Sequence, residues 1–195
     1  MLILASASPR RRILLRRLKV PFRVIPSRAG EESRERDPRR LVLKLALRKA
    51  RDVARRHPDA VVLGADTIVV CRGEIIGKPR DHSHALRILD TLNGRWQEVY
   101  TGIAVVWEGG RTWRARAVKS RVLARRLSPE RLHRLAGKHH DKAGAYAVQD
   151  RDDPFIERIE GDYGNVVGLP LDAARRLLER AGVYPALPPA RGRLK

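Results

Sequence analysis

The most informative side chain in this sequence is an acid set in an apolar run. Asp66 stands within Val61-Val62-Leu63-Gly64-Ala65-Asp66-Thr67-Ile68-Val69-Val70. A carboxylate there is costly to bury unless it is paired, hydrogen-bonded or bound to a metal. A strand can present such a group at a cleft, and Gly64 would let a ligand approach the backbone closely. The plainer alternative is a structural aspartate satisfied by nearby backbone N–H groups. On local chemistry Asp66 is the best catalytic candidate.

A second candidate is Leu4-Ala5-Ser6-Ala7-Ser8-Pro9-Arg10-Arg11-Arg12. A strand feeding a capped helix offers free backbone N–H groups and the positive end of the helix dipole to an anion. The arginines reinforce a phosphate-binding reading, but the Gly-Lys-Ser/Thr ending of an ATPase loop is missing. The alternative is a capped helix with a basic surface. Lysine forms a third signal, because the chain prefers arginine and holds only eight lysines. Lys78, in Gly77-Lys78-Pro79, and Lys142, in Asp141-Lys142-Ala143-Gly144-Ala145-Tyr146, fall in glycine-containing loops where an ammonium could meet phosphate or simply aid solubility. The stretch Ile159-Glu160-Gly161-Asp162-Tyr163-Gly164-Asn165-Val166-Val167-Gly168-Leu169-Pro170 is a shaped loop whose composition assigns it no role. His82, His84, His139 and His140 have no third partner at metal-site spacing and read as surface residues.

The elements that must position these groups are legible in outline. Met1 to Ala5 reads as a buried strand. Ser8 is a natural N-cap and Pro9 a first helical residue for a helix carrying Leu14, Leu15 and Leu18. Pro38 starts a second helix with an apolar stripe of Leu41, Val42, Leu45 and Ala46. The run around Asp66 is a strand buried on both faces, and Arg72-Gly73-Glu74 turns the chain into Ile75-Ile76. His84 to Leu92 reads as a helix, and Glu98 to Val106 with Thr112 to Leu123 as a strand pair around Gly109-Gly110. Ser128-Pro129 caps a helix to about Ala136. Phe155 to Ile159 and Val166-Val167 are strand-like, and Leu171 to Arg180 is the last helix. Helices mixed with strands predict an α/β (mixed α+β) fold. The tail from Pro185 to Lys195 is expected to be mobile, leaving residues 1–184 as one domain.

Composition narrows the class. Of 195 residues, 42 are Lys or Arg and 22 Asp or Glu, a formal charge of +20. Residues 1–56 hold 18 bases and 5 acids, so +13 of that surplus sits there. Such a balance points to an anionic partner: nucleic acid, a lipid surface or a phosphorylated small molecule. No stretch approaches the roughly 20 apolar residues that span a bilayer. The single Cys71 excludes an internal disulfide or a multi-cysteine metal site. The expectation is a cytoplasmic protein.

Taken together, these segments resemble the Maf family of nucleoside triphosphate pyrophosphatases, once named for septum formation. The resemblance runs from Leu2 to about Gly182. It is carried by Ser6-Ala7-Ser8-Pro9-Arg10-Arg11, Gly64-Ala65-Asp66-Thr67, Gly77-Lys78-Pro79, Tyr100-Thr101-Gly102, Asp141 to Tyr146, and Gly161-Asp162-Tyr163 through Gly168-Leu169-Pro170. It implies the fold of the inosine triphosphate pyrophosphatase group, with a long twisted mixed sheet and two lobes flanking a cleft, commonly as a homodimer. It also implies hydrolysis of a nucleoside triphosphate to monophosphate and pyrophosphate, dependent on Mg or Mn, in nucleotide-pool house-cleaning and with a link to cell-division arrest. Asp66 takes the position of the proton acceptor. Glu32, with Glu31 left open beside it by one extra residue, takes that of a second acid holding the metal with Asp66. Ser8, Arg11, Lys49, Lys78 and Lys142 would surround the phosphates. Arg10, Thr67 and Gln149 match the branch acting on dTTP and UTP, whereas the sibling N7-methyl-GTP branch would carry Trp, Gln and Glu.

The sequence departs from the family pattern at Gly137-Lys138-His139-His140, at Gln97 in place of His, and at Ala147-Val148-Gln149-Asp150. The alternatives are the N7-methyl-GTP enzyme and a basic nucleic-acid-binding module without catalysis. Against the latter, the 3 Trp, 4 Tyr and 2 Phe are not interleaved with bases. Weak non-specific nucleic-acid binding is the residual expectation from the charge.

Overall fold

The computed structural model describes residues 1–136, 144 and 155–185. In chain order the elements are β1 (Leu2–Leu4), α1 (Pro9–Arg16), β2 (Phe22–Val24), α2 (Pro38–Arg56), β3 (Val61–Cys71), β4 (Glu74–Ile76) and α3 (His82–Leu92). There follow β5 (Trp96–Trp107), β6 (Thr112–Ala124), α4 (Pro129–Ala136), β7 (Ile156–Glu160), α5 (Tyr163–Val167) and α6 (Leu171–Arg180). The fold is mixed α/β.

Side-chain caps start the first three helices. Ser8 accepts from the Arg11 N–H at α1, Asp37 from Arg40 at α2 and Asp81 from His84 at α3, each satisfying a donor that the first helical turn leaves unpaired. Proline follows Ser8 and Asp37 directly, where its missing N–H costs nothing. The Asp81 cap explains why α3 begins at His82 instead of His84.

The described strands form one sheet in the order β2-β1-β3-β5-β6-β7, with β4 paired to β3. β1 runs parallel to both β2 and β3, with Leu4 opposite Val24 and Leu63. β4 is antiparallel to β3, and β7 to β6.

The chain divides into two compact units, and β3, β5 and β6 each contribute a segment to both. The first unit comprises Met1–Asp66, Thr101–Val118 and the chain from Gly168. Its core sets Ala46, Ala50, Val53 and Ala54 of α2 against Ile3, Val62, Ala104 and Val106 of the strands. Small residues on α2 let the helix lie close to the sheet. The second unit comprises Thr67–Tyr100 and Lys119–Val167. Its core packs Ala85, Ile88, Leu89 and Leu92 of α3 and Leu132 and Leu135 of α4 on Val69, Cys71, Val99 and Val122.

Two local expectations are corrected. Val166-Val167 does not form a strand; it ends α5, because the Asp162 carboxylate accepts from the Asn165 N–H at 3.0 Å and starts a helical turn. Phe22–Val24, for which the pattern predicts no element, forms the short edge strand β2.

Candidate active site

The geometry of the first unit gathers two loop segments and one residue of β3 just past the paired ends of β1 and β2. Leu4 is opposite both Val24 and Leu63. The chain leaving β1 toward Ser6 and Ser8, the chain leaving β2 toward Glu31, and Asp66 on β3 therefore lie at the same carboxyl end. In open sheets with parallel strands, that end is where ligands bind.

α2 delivers the next group. Gly64 has no side chain because α2 fills that space: a Cβ there would stand 2.4 Å from the Ala46 carbonyl oxygen and 2.9 Å from Ala50. This corrects the expectation that Gly64 makes room for a ligand. Gly102 does the same for the preceding turn, where a Cβ would come within 2.3 Å of the Val42 carbonyl oxygen. Asp66 is two residues beyond Gly64, hence on the same face of the strand. Lys49, beside Ala50 on α2, therefore reaches it.

Lys49 Nζ lies 2.6 Å from Asp66 Oδ1 and 2.6 Å from Glu31 Oε1, so one ammonium bridges two carboxylates. Asp66 is 7% exposed, and Glu31 is the open member of the group. The bridge answers the cost of burying Asp66, since a buried carboxylate persists when paired and hydrogen-bonded. Of the two neighbouring glutamates, Glu31 is the one that meets Lys49. Glu32 is exposed and gives its backbone carbonyl to Arg48 at 2.8 Å.

Arg11 completes the cluster. Its Nε donates to the Gly168 carbonyl at 2.8 Å and its Nη1 to Ser6 Oγ at 3.3 Å. Burial pushes the guanidinium down from its ordinary value, while the charges of Asp66 and Glu31 work against that push; arginine has reserve enough to stay charged. Gly168 has φ 115°, a conformation that favours glycine and turns its carbonyl toward Arg11. Ser6 Oγ also accepts from the Ser8 N–H at 3.2 Å. The glycine-rich segment with no assigned role thus supplies the anchor for Arg11. In the second unit, Asp162 and Asn165 of the same segment tie down Ser120. The Ser120 hydroxyl contacts the Asp162 backbone at 3.0 Å and accepts from Asn165 Nδ2 at 2.9 Å.

The other expected residues are distributed as follows. Arg10 lies half-buried in the first turn of α1, next to the Ser8 cap. Thr67 follows Asp66 on β3, on the other face of the strand, and is half-buried. Lys78 is exposed in the loop after β4. Lys142 and Gln149 lie outside the described residues. Three participants that sequence reasoning passed over are Ser6, Arg48 and Gly168. Ser6 and Gly168 each carried a signal as part of a motif singled out in the sequence, whereas Arg48 carried none.

The donor set near Asp66 suits a hard divalent cation. Two carboxylates already share one positive charge, and Mg²⁺ is commonly held by one or two carboxylates with substrate phosphates completing its shell. Among the described residues no group of three or more His, Cys, Asp or Glu side chains could hold a metal unaided. No helix among them is long and apolar enough to cross a membrane.

The sequence compares closely with curated relatives. A dTTP/UTP pyrophosphatase of Moorella thermoacetica is 48% identical over 185 residues, covering 93% of this chain and 95% of that protein. One from Elusimicrobium minutum is 45% identical, covering 93% and 98%, and one from Deinococcus radiodurans is 45% identical, covering 93% of each. The family model described as Maf-like protein matches residues 1–181. This chain belongs to the Maf family.

Proposed function

We propose that this chain hydrolyses dTTP and UTP to the nucleoside monophosphate and pyrophosphate. One observation carries the reading: a buried aspartate on β3, gripped at 2.6 Å by a lysine that also holds a second acid, lies just past the carboxyl end of β1, from which the capped helix α1 starts. Relatives with that name and 45–48% identity support the choice of nucleotide.

In the reaction one water attacks the α-phosphorus, and the bond from that phosphorus to the bridging oxygen breaks. The water oxygen stays on the monophosphate, and pyrophosphate leaves with the bridging oxygen. Asp66 accepts the proton of the attacking water. Lys49, holding Oδ1, fixes the plane of the carboxylate for that task, and positioning of this kind is a main source of rate in phosphoryl transfer. Ser8, the start of α1 and Arg11 hold phosphate oxygens, joined by Lys78 and Lys142. Their positive charge counts most where negative charge builds on the leaving pyrophosphate. Arg10, Thr67 and Gln149 contact the base. Thr and Gln each offer a donor and an acceptor, as the O4–N3–O2 edge of a pyrimidine requires.

Asp66 and Glu31 would hold Mg²⁺ or Mn²⁺, with Glu31 taking the place the resemblance gives to Glu32. When bound, the cation lowers the pKa of the water and offsets phosphate charge. Removal of unwanted pyrimidine nucleotides is the role we infer, carried out by a homodimer in the cytoplasm.

The test is a panel of nucleotides with Mg²⁺ or Mn²⁺, following pyrophosphate release. dTTP and UTP should lead, chelator should stop turnover, and exchanging Arg10 and Thr67 for Trp and Gln should weaken pyrimidine preference before catalysis. Preferential cleavage of N7-methyl-GTP would overturn the assignment.

A further inference from the structure

The segment that carries Glu31 is irregular over residues 25–37, between β2 and α2. Thirteen residues without helix or strand are unusual in a compact unit and need something to hold them. Its second half is organised locally. Ser33 Oγ accepts from the Glu35 N–H, and Glu35 Oε1 accepts from the N–H groups of Arg36 and Asp37.

The first half is held by α2. Asp52 Oδ2 accepts from the Ser27 hydroxyl at 3.0 Å and from the Arg28 N–H at 2.8 Å. One nitrogen of Arg48, Nη1, donates at 2.8 Å to the Gly30 carbonyl and at 2.8 Å to the Glu32 carbonyl. Those carbonyls flank Glu31 on both sides, and Lys49 takes its carboxylate at 2.6 Å. Residues 48, 49 and 52 share one helix face, so the loop runs along α2 as a strap fastened at three points. Arg56 Nη2 lies 3.1 Å from the same Asp52 oxygen. The Asp52 carboxyl is held below its usual range, first by the Arg28 N–H and then by the Ser27 hydroxyl and Arg56, against desolvation.

We infer that Arg48 and Asp52 are positioning residues, which clamp residues 27–32 onto α2 so that Glu31 meets Lys49 and Asp66 in the geometry that receives a divalent cation. Nothing in the chemistry of phosphoryl transfer requires an arginine or an aspartate at these positions. Among the described residues, their side-chain hydrogen bonds go to loop backbone, to a serine and to Arg56, and none goes to Asp66. The inference rests on the hydrolytic reading for its purpose, but its geometry and its test do not depend on turnover.

The test uses the full-length protein and Mn²⁺ alone. Binding is followed by the electron paramagnetic resonance of free Mn²⁺, and amide hydrogen exchange is followed over residues 27–32. Arg48→Ala and Asp52→Ala should each weaken Mn²⁺ binding about tenfold and strip exchange protection from the strap, with little change in melting temperature. Asp52→Asn keeps an acceptor oxygen for Ser27 and Arg28 and should restore both readouts, although it too loses the ion pair to Arg56. In a Glu31→Gln background, Arg48→Ala should add nothing, because its effect passes through Glu31. Unchanged Mn²⁺ affinity and protection in both alanine variants would overturn the inference, as would a loss fully additive with Glu31→Gln. If dTTP is not cleaved while the Mn²⁺ pattern holds, the hydrolytic reading falls and the clamp stands.

Discussion

Replacing Gly64 by alanine tests whether the close approach of α2 to β3 builds the site. The added Cβ would sit 2.4 Å from the Ala46 carbonyl oxygen and 2.9 Å from Ala50 Cβ and N. A carbon–oxygen contact settles near 3.3 Å, so α2 must retreat by roughly 1 Å. The obstructing atoms belong to the helix backbone and to an alanine, so no flexible side chain can yield. The cost should fall at the upper end of the overpacking range, about 3 kcal/mol. For a chain of this size that corresponds to a fall in Tm of about 6–12 °C. The same retreat would stretch the 2.6 Å contact of Lys49 with Asp66 to about 3.5 Å, beyond a useful hydrogen bond, so residual activity should drop more than folded protein does. Gly102→Ala should behave alike, whereas Gly30→Ala, which meets nothing within 4 Å, should leave Tm unchanged. Thermal unfolding by circular dichroism reads the effect. A Gly64→Ala protein that melts with the parent would refute the packing argument.

Three further outcomes are expected. Gln97 is 1% exposed and neither of its side-chain amide atoms has a hydrogen-bond partner among the described residues; Gln97→Met keeps the volume, removes the unmet polar atoms and should raise stability by about 1 kcal/mol in denaturant titrations, a loss instead marking a partner for the amide. Glu98 is held below the usual carboxylate range by Lys119 first and by the Tyr100 hydroxyl second, so its stabilisation is complete above the unfolded value of about 4.3 and is lost as pH falls through the lower folded value. The Tm gap between wild type and Glu98→Gln should therefore be flat at neutral pH and close in acid, and a gap that widens in acid would reverse the sign. Burial raises the Cys71 thiol above its ordinary value, Arg95 and Arg72 opposing, so native protein should resist iodoacetamide until denatured, as mass spectrometry would show.

What the sequence made legible follows from how local each signal is. α1 stands close to its expected bounds because a cap and an apolar stripe are written in neighbouring residues, and α6 because of its apolar stripe alone. β3 is legible as a long apolar run, and its aspartate stands out because burial of a charge needs a reason. What approaches that strand is not local. Gly64 invites a ligand or a helix equally, and only the small residues of α2, eighteen to fourteen positions earlier, decide for the helix. Glu31 and Glu32 are adjacent acids in an irregular segment, so no periodicity separates them. Arg48 and Lys49, on a helix whose own start is legible, select Glu31. Val166 and Val167 look extended by composition, yet a cap three residues upstream of Asn165 makes them helical. Arg11 reads from the sequence as a phosphate-binding base, but its anchor, the Gly168 carbonyl 157 residues away, is not written near it.

The most direct test of the account is the fate of the water oxygen. dTTP is turned over with Mg²⁺ in ¹⁸O-labelled water and the products are separated by mass spectrometry, with Asp66→Asn as the control. Attack at the α-phosphorus predicts one ¹⁸O in dTMP, none in pyrophosphate, and no turnover by a folded Asp66→Asn protein. Label in the pyrophosphate, release of orthophosphate, or full activity without the Asp66 carboxylate would contradict it.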